Sequence, residues 1–286
     1  MSCAVVWSLT VLLFKGVTEK ISPNIFNFTK NFIALIFLTL TILIFDRGRI
    51  ESVGTLPFFY LFVSGFVGLG FADSLFLYCL KKVGAGWMAI VETAYTPFVF
   101  LFSLVLLAES ISIREAVGVI IIIGALLMIN LESNSNKSFA DKDFAVGIAA
   151  GILSLLLVAF GVVLTKVALA EVSLFYAVEI RLIGGVLGTA MLLLLRRPHL
   201  AREIQEIKNF PSKSKLIAIS LFGTYLTLLL WIGGFKYQKA TITAVLNQTS
   251  TVFTLFASVI FLKEKLTKTK VVVSVLAFIG VIVTIS

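Results

Sequence analysis

Apolar residues run along this chain in long blocks, and polar residues gather in the short gaps between them. A helix needs about 20 apolar residues to cross the hydrocarbon of a bilayer. Blocks of roughly that length recur at 2–18, 24–45, 56–80, 84–108, 114–131, 144–166, 173–195, 214–235, 241–262 and 270–286. The pattern predicts an all-α integral membrane protein with ten transmembrane helices, and only loops outside the membrane. The first block lacks a basic leader and a small-residue cleavage site, so it is read as a retained helix.

The longest polar gap, NLESNSNKSFADKD at 130–143, divides the chain near its midpoint. It predicts a first five-helix unit at 1–131, a polar linker at 132–143 and a second unit at 144–286. Shifting the chain by 155 residues lays 81–112 on 236–267, with eight of 32 positions identical, among them Ala85/Ala240, Ala89/Ala244, Thr96/Thr251, Ser103/Ser258 and Glu109/Glu264. At 100° per residue, Ala85, Ala89, Glu92, Thr96 and Ser103 share one face of the fourth block, and their counterparts share one face of the ninth. A shift of 151 pairs Lys15 with Lys166, Ser22 with Ser173 and Lys30 with Arg181. Because five is odd, the second unit enters the membrane upside down, giving two inverted five-helix repeats, the plan of many secondary transporters.

Composition agrees with this reading: 59% of residues are hydrophobic and 14% charged, with a mean hydropathy of +1.07. That leaves too little polar surface for a water-soluble domain of this size. The net charge of +9 belongs to interfacial Lys and Arg, not to nucleic-acid binding, since no soluble basic domain is present. Lys and Arg number 16 in the odd-numbered loops and helix edges against 6 in the even-numbered ones, so the positive-inside rule puts the termini outside. Cys3 and Cys79 lie in apolar blocks, where a thiol acts as a small hydrophobe.

The informative residues are the charges inside the blocks. Glu92 is the only charge in residues 83–108. Lys30, Asp73 and Glu92 lie six to eight residues from the ends of their blocks, roughly 9–12 Å below one membrane face. Glu179, Arg181 and Asn247 lie at matching depths below the opposite face, so two polar clusters are expected to bracket the midplane, where inverted-repeat carriers hold substrate. Intramembrane charges face the bundle interior and pair or line water, and the expected pair is Glu92 with Lys30. Such a Glu92 can hold or release a proton according to whether a cation or a substrate stands beside it; the alternative is a fixed ion pair between two helices. Glu179 and Arg181, two apart on one helix, do not face each other and suit a structural role as well as a functional one. Pro97 cannot bond the Thr93 carbonyl and is expected to loosen the fourth helix next to Glu92, with no counterpart at Val252 in the ninth. Thr96 and Thr251 belong to the shared stripe, which can pack helices or line a cavity. Tyr95 and Trp231 are placed to stack on a ligand, whereas Trp87 and Tyr176 suit an interfacial belt.

At these residues the chain resembles a known family. LNQTSTVFTLFASVIFLKEKLT (246–267) and TPFVFLFSLVLLAESISIREAVGVIIIIG (96–124) are similar to the end of an EamA-type unit of the drug/metabolite transporter superfamily. LLFKGVTEKISPNIFNFTKNF (12–32) resembles the opening helix pair, with Lys15, Ser22-Pro23 and Lys30 at its marked positions. The resemblance implies a ten-helix carrier of small metabolites, often an exporter, with a central cavity shared by both halves and cytoplasmic termini, opposite to the loop-charge count. Glu92 five residues before Pro97, and Val252 in place of a second proline, depart from that pattern. The expected partners are a small-molecule metabolite, the lipid bilayer and protons, in a monomer or homodimer of the prokaryotic plasma membrane, with no nucleic acid, cofactor or metal. A membrane enzyme is disfavoured because the single histidine, His199, sits in a polar loop and no DDxxD or GxSxG stretch occurs. The absence of GxxxxGK[ST] speaks against an ATP-driven pump. A channel or a scaffold is the alternative to a carrier.

Overall fold

The computed structural model describes residues 2–45, 52–109, 112–128, 142–195, 197–263 and 267–285. Every predicted block is occupied by a helix: α1 (Ser2–Thr18), α2 (Pro23–Phe45), α3 (Thr55–Val83), α4 (Ala85–Leu106), α5 (Ile113–Leu127), α6 (Lys142–Ala168) and α7 (Leu174–Leu195), then α9 (Lys213–Tyr237), α10 (Ala240–Leu262) and α11 (Lys268–Ile285). The described residues contain no strand. Seven of these helices, α2, α3, α4, α6, α7, α9 and α10, are long and apolar enough to cross a membrane. The predicted linker lies outside the described residues except for Lys142 and Asp143, which begin α6.

One helix was not expected. The polar stretch after α7, read from sequence as loop, forms α8 (Arg197–Lys208). Its apolar residues Leu200, Ile204 and Ile207 fall at i, i+4 and i+7, a short helical stripe that its many charges obscure. Two of its carboxylates reach the turn before α2, where Ser22 donates its backbone N–H to Glu206 (2.7 Å) and its hydroxyl to Glu203 (2.8 Å).

The outer surface carries large apolar side chains such as Leu43, Ile44, Phe45, Ile120, Leu195 and Phe261, while Lys30, Arg181, Asn27 and Asn31 are buried. This inside-out distribution fits lipid as the surrounding solvent. The two halves interlock by exchange of equivalent helices. The first part of α4 packs on the second part of α10 and vice versa, so these counterparts run antiparallel, and α5 packs along α11.

Irregularities recur in both halves at matching positions. α3 is π-wound over Phe66–Ala72 and α9 over Leu221–Leu226. A π turn frees backbone carbonyls from the α ladder, and in a membrane they need other donors. Asn27 on α2 supplies donors to the carbonyls of Leu69 (2.8 Å) and Gly70 (3.0 Å), Asn31 to Leu69 (3.2 Å), and Ser154 on α6 to Ala72 (2.7 Å).

The lysines that marked the repeat act as clasps. Lys15 donates to the Lys81 carbonyl and Lys81 to the Ile21 carbonyl; in the second half Lys166 donates to Phe235 and Gln238, and Lys236 to Val172. Each ammonium thus meets carbonyls at helix ends, where hydrogen bonding and the helix dipole both favour a cation.

Between α3 and α7 the backbones themselves touch. A Cβ at Gly65 would collide with the carbonyl of Arg181, and one at Gly184 with the carbonyl of Phe62. One at Gly188 would lie 2.7 Å from the Phe66 carbonyl. Small residues allow this approach. Gly65→Ala is expected to lower stability by about 1–3 kcal/mol or more by forcing the helices apart. Gly124→Ala, with open space around it, should be neutral or stabilise by up to about 1 kcal/mol through helix propensity. Unfolding midpoints of the two variants in one detergent check both.

Candidate substrate cavity

At the centre of the bundle lies a cavity with about 120 Å³ open to the centre of a water-sized sphere. It is bounded by α1, α2, α3 and α4 of the first half and by α6, α7, α9 and α10 of the second. Of the residues singled out from sequence, Glu92, Lys30, Asp73, Asn247, Tyr95, Trp231 and Arg181 line it. The two polar clusters expected below opposite faces therefore meet in one site. Thr96, Thr251 and Glu179 stand outside it.

The expected Lys30–Glu92 pair does not form. Lys30 Nζ lies 2.7 Å from Asp73 Oδ2 and 3.1 Å from Asn31 Oδ1, with the Phe14 ring 5.6 Å away. The reason is the π turn: Asp73 is the first residue after it, and Asn27 and Asn31 tie that turn to α2 beside Lys30. Glu92 faces α1 instead, where Trp7 Nε1 donates to its Oε1 at 2.6 Å; its Oε2 is buried without a partner.

α4 and α10 are both broken where they meet the cavity. α4 interrupts at Thr93–Ala94, between Glu92 and Tyr95, and α10 at Gln248. Proline is thus not required for the break: Val252 stands where Pro97 does, and α10 breaks as well. At this crossing Gln248 Nε2 donates to the Glu92 carbonyl (3.1 Å) and to Thr96 Oγ1 (2.8 Å), while Thr251 donates to Gln248 Oε1 (3.1 Å). The carbonyl that gains a donor from the other half is that of Glu92, one residue before the expected Thr93. Thr96 and Thr251 hold Gln248 in place rather than touching the cavity.

In the second half, Arg181 is almost wholly buried, at 1% exposure. Its Nη1 donates to Ser64 Oγ (2.5 Å), the Gly161 carbonyl (3.3 Å) and Thr165 Oγ1, and its guanidinium lies 5.7 Å from the Trp231 ring centroid. Trp231 in turn packs against Tyr95, centroids 6.2 Å apart. Glu179 accepts a hydrogen bond from Thr39 on α2 (2.8 Å), a link between halves outside the cavity.

Sequence reasoning missed Trp7, Gln248 and Cys3 among the cavity residues. Neither Trp7 nor Gln248 has a matching residue to flag it: the repeat sets Trp7 against Val158 and Gln248 against Thr93. Among the described residues no three His, Cys, Asp or Glu side chains converge as metal ligands. The arrangement is suited to holding a small polar molecule between charged walls.

A multi-helix membrane protein whose two halves enclose an internal charged cavity is the class these features define. The chain belongs to the EamA-like transporter family, whose sequence profile matches residues 1–131 and again 145–286. Among solved structures, one crystal structure superposes with a TM-score of 0.71 over 100% of this chain and 98% of its own, at 16% identity, a likeness of fold. Among curated proteins none matches the chain.

Replacing Gln248 with Leu would leave the Glu92 carbonyl and Thr96 without their donor at the junction of the two broken helices. An expected loss of about 1–3 kcal/mol should appear as a lower unfolding midpoint in detergent, and Gln248→Glu, whose carboxylate cannot donate to that carbonyl, should not restore it.

Proposed function

We propose that this protein is a secondary active transporter that exports a small metabolite across the prokaryotic plasma membrane by alternating access. All ten blocks cross the bilayer in this reading, as two inverted five-helix repeats. The observation that carries it is the cavity itself: it lies between the repeats, takes walls from both, and gathers four ionisable groups, Lys30, Glu92 and Arg181 buried and Asp73 half-buried. Charges in a membrane interior are retained where they meet substrate, ions or each other. The paired π turns and paired helix breaks support the motion, since such interruptions let helices bend without losing their backbone hydrogen bonds to lipid.

Glu92 is the proton-exchanging group in this scheme. One of its oxygens is tied to Trp7 and the other faces the interior unpartnered, so a proton or a donor from substrate can take the free position. Lys30 and Asp73 neutralise each other and shape the first-half wall.

The test is a metabolite screen in sealed vesicles with an imposed pH gradient, comparing wild type with Glu92→Gln. Saturable, gradient-driven transport by wild type is expected, with the variant reduced by at least about tenfold while still inserted and folded. Flux that does not saturate would identify a channel, and undiminished gradient-driven transport by the variant would remove Glu92 from the coupling.

A further inference from the structure

We propose that the cavity has two chemically opposite poles and that its substrate is a small zwitterion, with the carboxylate held by Arg181 and Asn247 and the ammonium by Glu92. This rests on the carrier reading above and specifies the substrate class.

The internal repeat exposes the asymmetry. Lys30 and Arg181 occupy equivalent places, yet Lys30 has Asp73 at 2.7 Å, whereas the repeat sets Asp73 against Leu228. Arg181 consequently has no carboxylate within ion-pair distance among the described residues. Its Nη1 is used by neutral oxygens, while its Nε is buried without a partner. Asn247, the counterpart of Glu92, also lines the cavity and has a buried Nδ2 with no partner. Two unmet donors, one of them charged, are therefore presented from α7 and α10. A buried polar group without a partner is unfavourable, and a carboxylate, which only accepts, satisfies both donors and neutralises the guanidinium.

The other pole is an acceptor. Glu92 Oε2 is buried and unmet. An ammonium, with three donors and no acceptor, complements this side and would be repelled by the first. Between the poles the walls are apolar, with Leu69, Phe76, Val158 and Leu228. The size is limiting too: a cavity of about 120 Å³ has room for about four waters at about 30 Å³ each, which restricts the ligand to a small molecule.

Three probes on one skeleton separate the poles: leucine, 4-methylpentanoate, which lacks the ammonium, and 3-methylbutylamine, which lacks the carboxylate. Binding to the full chain in detergent is read from the unfolding midpoint and from protection of Cys3 against N-ethylmaleimide. Cys3 lines the cavity, whereas Cys79 is fully buried. Leucine is expected to bind at least about tenfold more tightly than either half-probe, the value of one charge-assisted hydrogen bond. Asn247→Leu should weaken leucine and 4-methylpentanoate but leave 3-methylbutylamine unchanged, and Glu92→Gln should do the reverse. Arg181→Lys should weaken the two carboxylates; because this variant removes part of the Ser64 and Thr165 network, Asn247→Leu is the decisive one. Equal binding of the three probes, amine binding that exceeds leucine, or no midpoint shift and no Cys3 protection by leucine would overturn the proposal. In each of those cases gradient-driven transport of some other metabolite in vesicles would leave the carrier reading standing.

Discussion

The approach of α3 to α7 is the contact on which the other features depend. Gly65, Gly184 and Gly188 let the two backbones, one from each half, touch. That closeness sets the π-wound turn of α3 beside Arg181, whose guanidinium lies next to Gly68. It also sets Ser64, the last residue but one before the π turn, against Thr165 of α6 at 2.6 Å. The arginine, its hydroxyl partners and the freed carbonyls of the turn are therefore held as one polar core inside a protein whose outside is apolar.

Around that core, hydrogen bonds do in lipid what water does elsewhere. In the first half, a side chain meets the backbone groups released where a helix departs from regular winding: Asn27 and Asn31 for the turn in α3, Gln248 for the break in α4. The donors come from a different helix each time, and for Gln248 from the other half. Irregular backbone at membrane depth is tolerable only when it is buried in this way, so these side chains do not merely accompany the breaks but permit them.

Much of this was legible in the sequence, and the failures have definite causes. The apolar blocks located a helix at each of ten places, and seven of those helices are long and apolar enough to cross a membrane. Self-comparison at two offsets found the halves, because the clasp lysines and the small-residue stripe repeat. Depth brought Lys30, Asp73 and Glu92 together but chose the wrong partner for Lys30. Depth along a helix follows from counting residues; rotation about it does not once a π turn intervenes, and Asp73 directly follows one. Likewise the shared stripe puts Thr96 and Thr251 on one face but does not decide between packing and cavity lining, and in the structure both bond Gln248. The break in α10 could not be read from composition, for it has no proline and is maintained by its partner helix. The α8 stripe of three apolar residues was hidden among charges that interfacial helices commonly carry.

The duplicated lysine clasps have a consequence for how the two copies diverged. Each clasp joins helices of its own half, Lys15 to Lys81 and Lys81 to Ile21, then Lys166 to Phe235 and Lys236 to Val172. The chain is in this respect an alignment of two sequences with itself. Where the copies fasten their own helix ends they have stayed alike; where they face the shared interior they have drifted apart, with Trp7 against Val158, Asp73 against Leu228 and Glu92 against Asn247. A symmetric ancestor would have offered its cargo two identical walls. Those interior differences leave the cavity with unlike ends, while the lysines that fasten each half are the same in both.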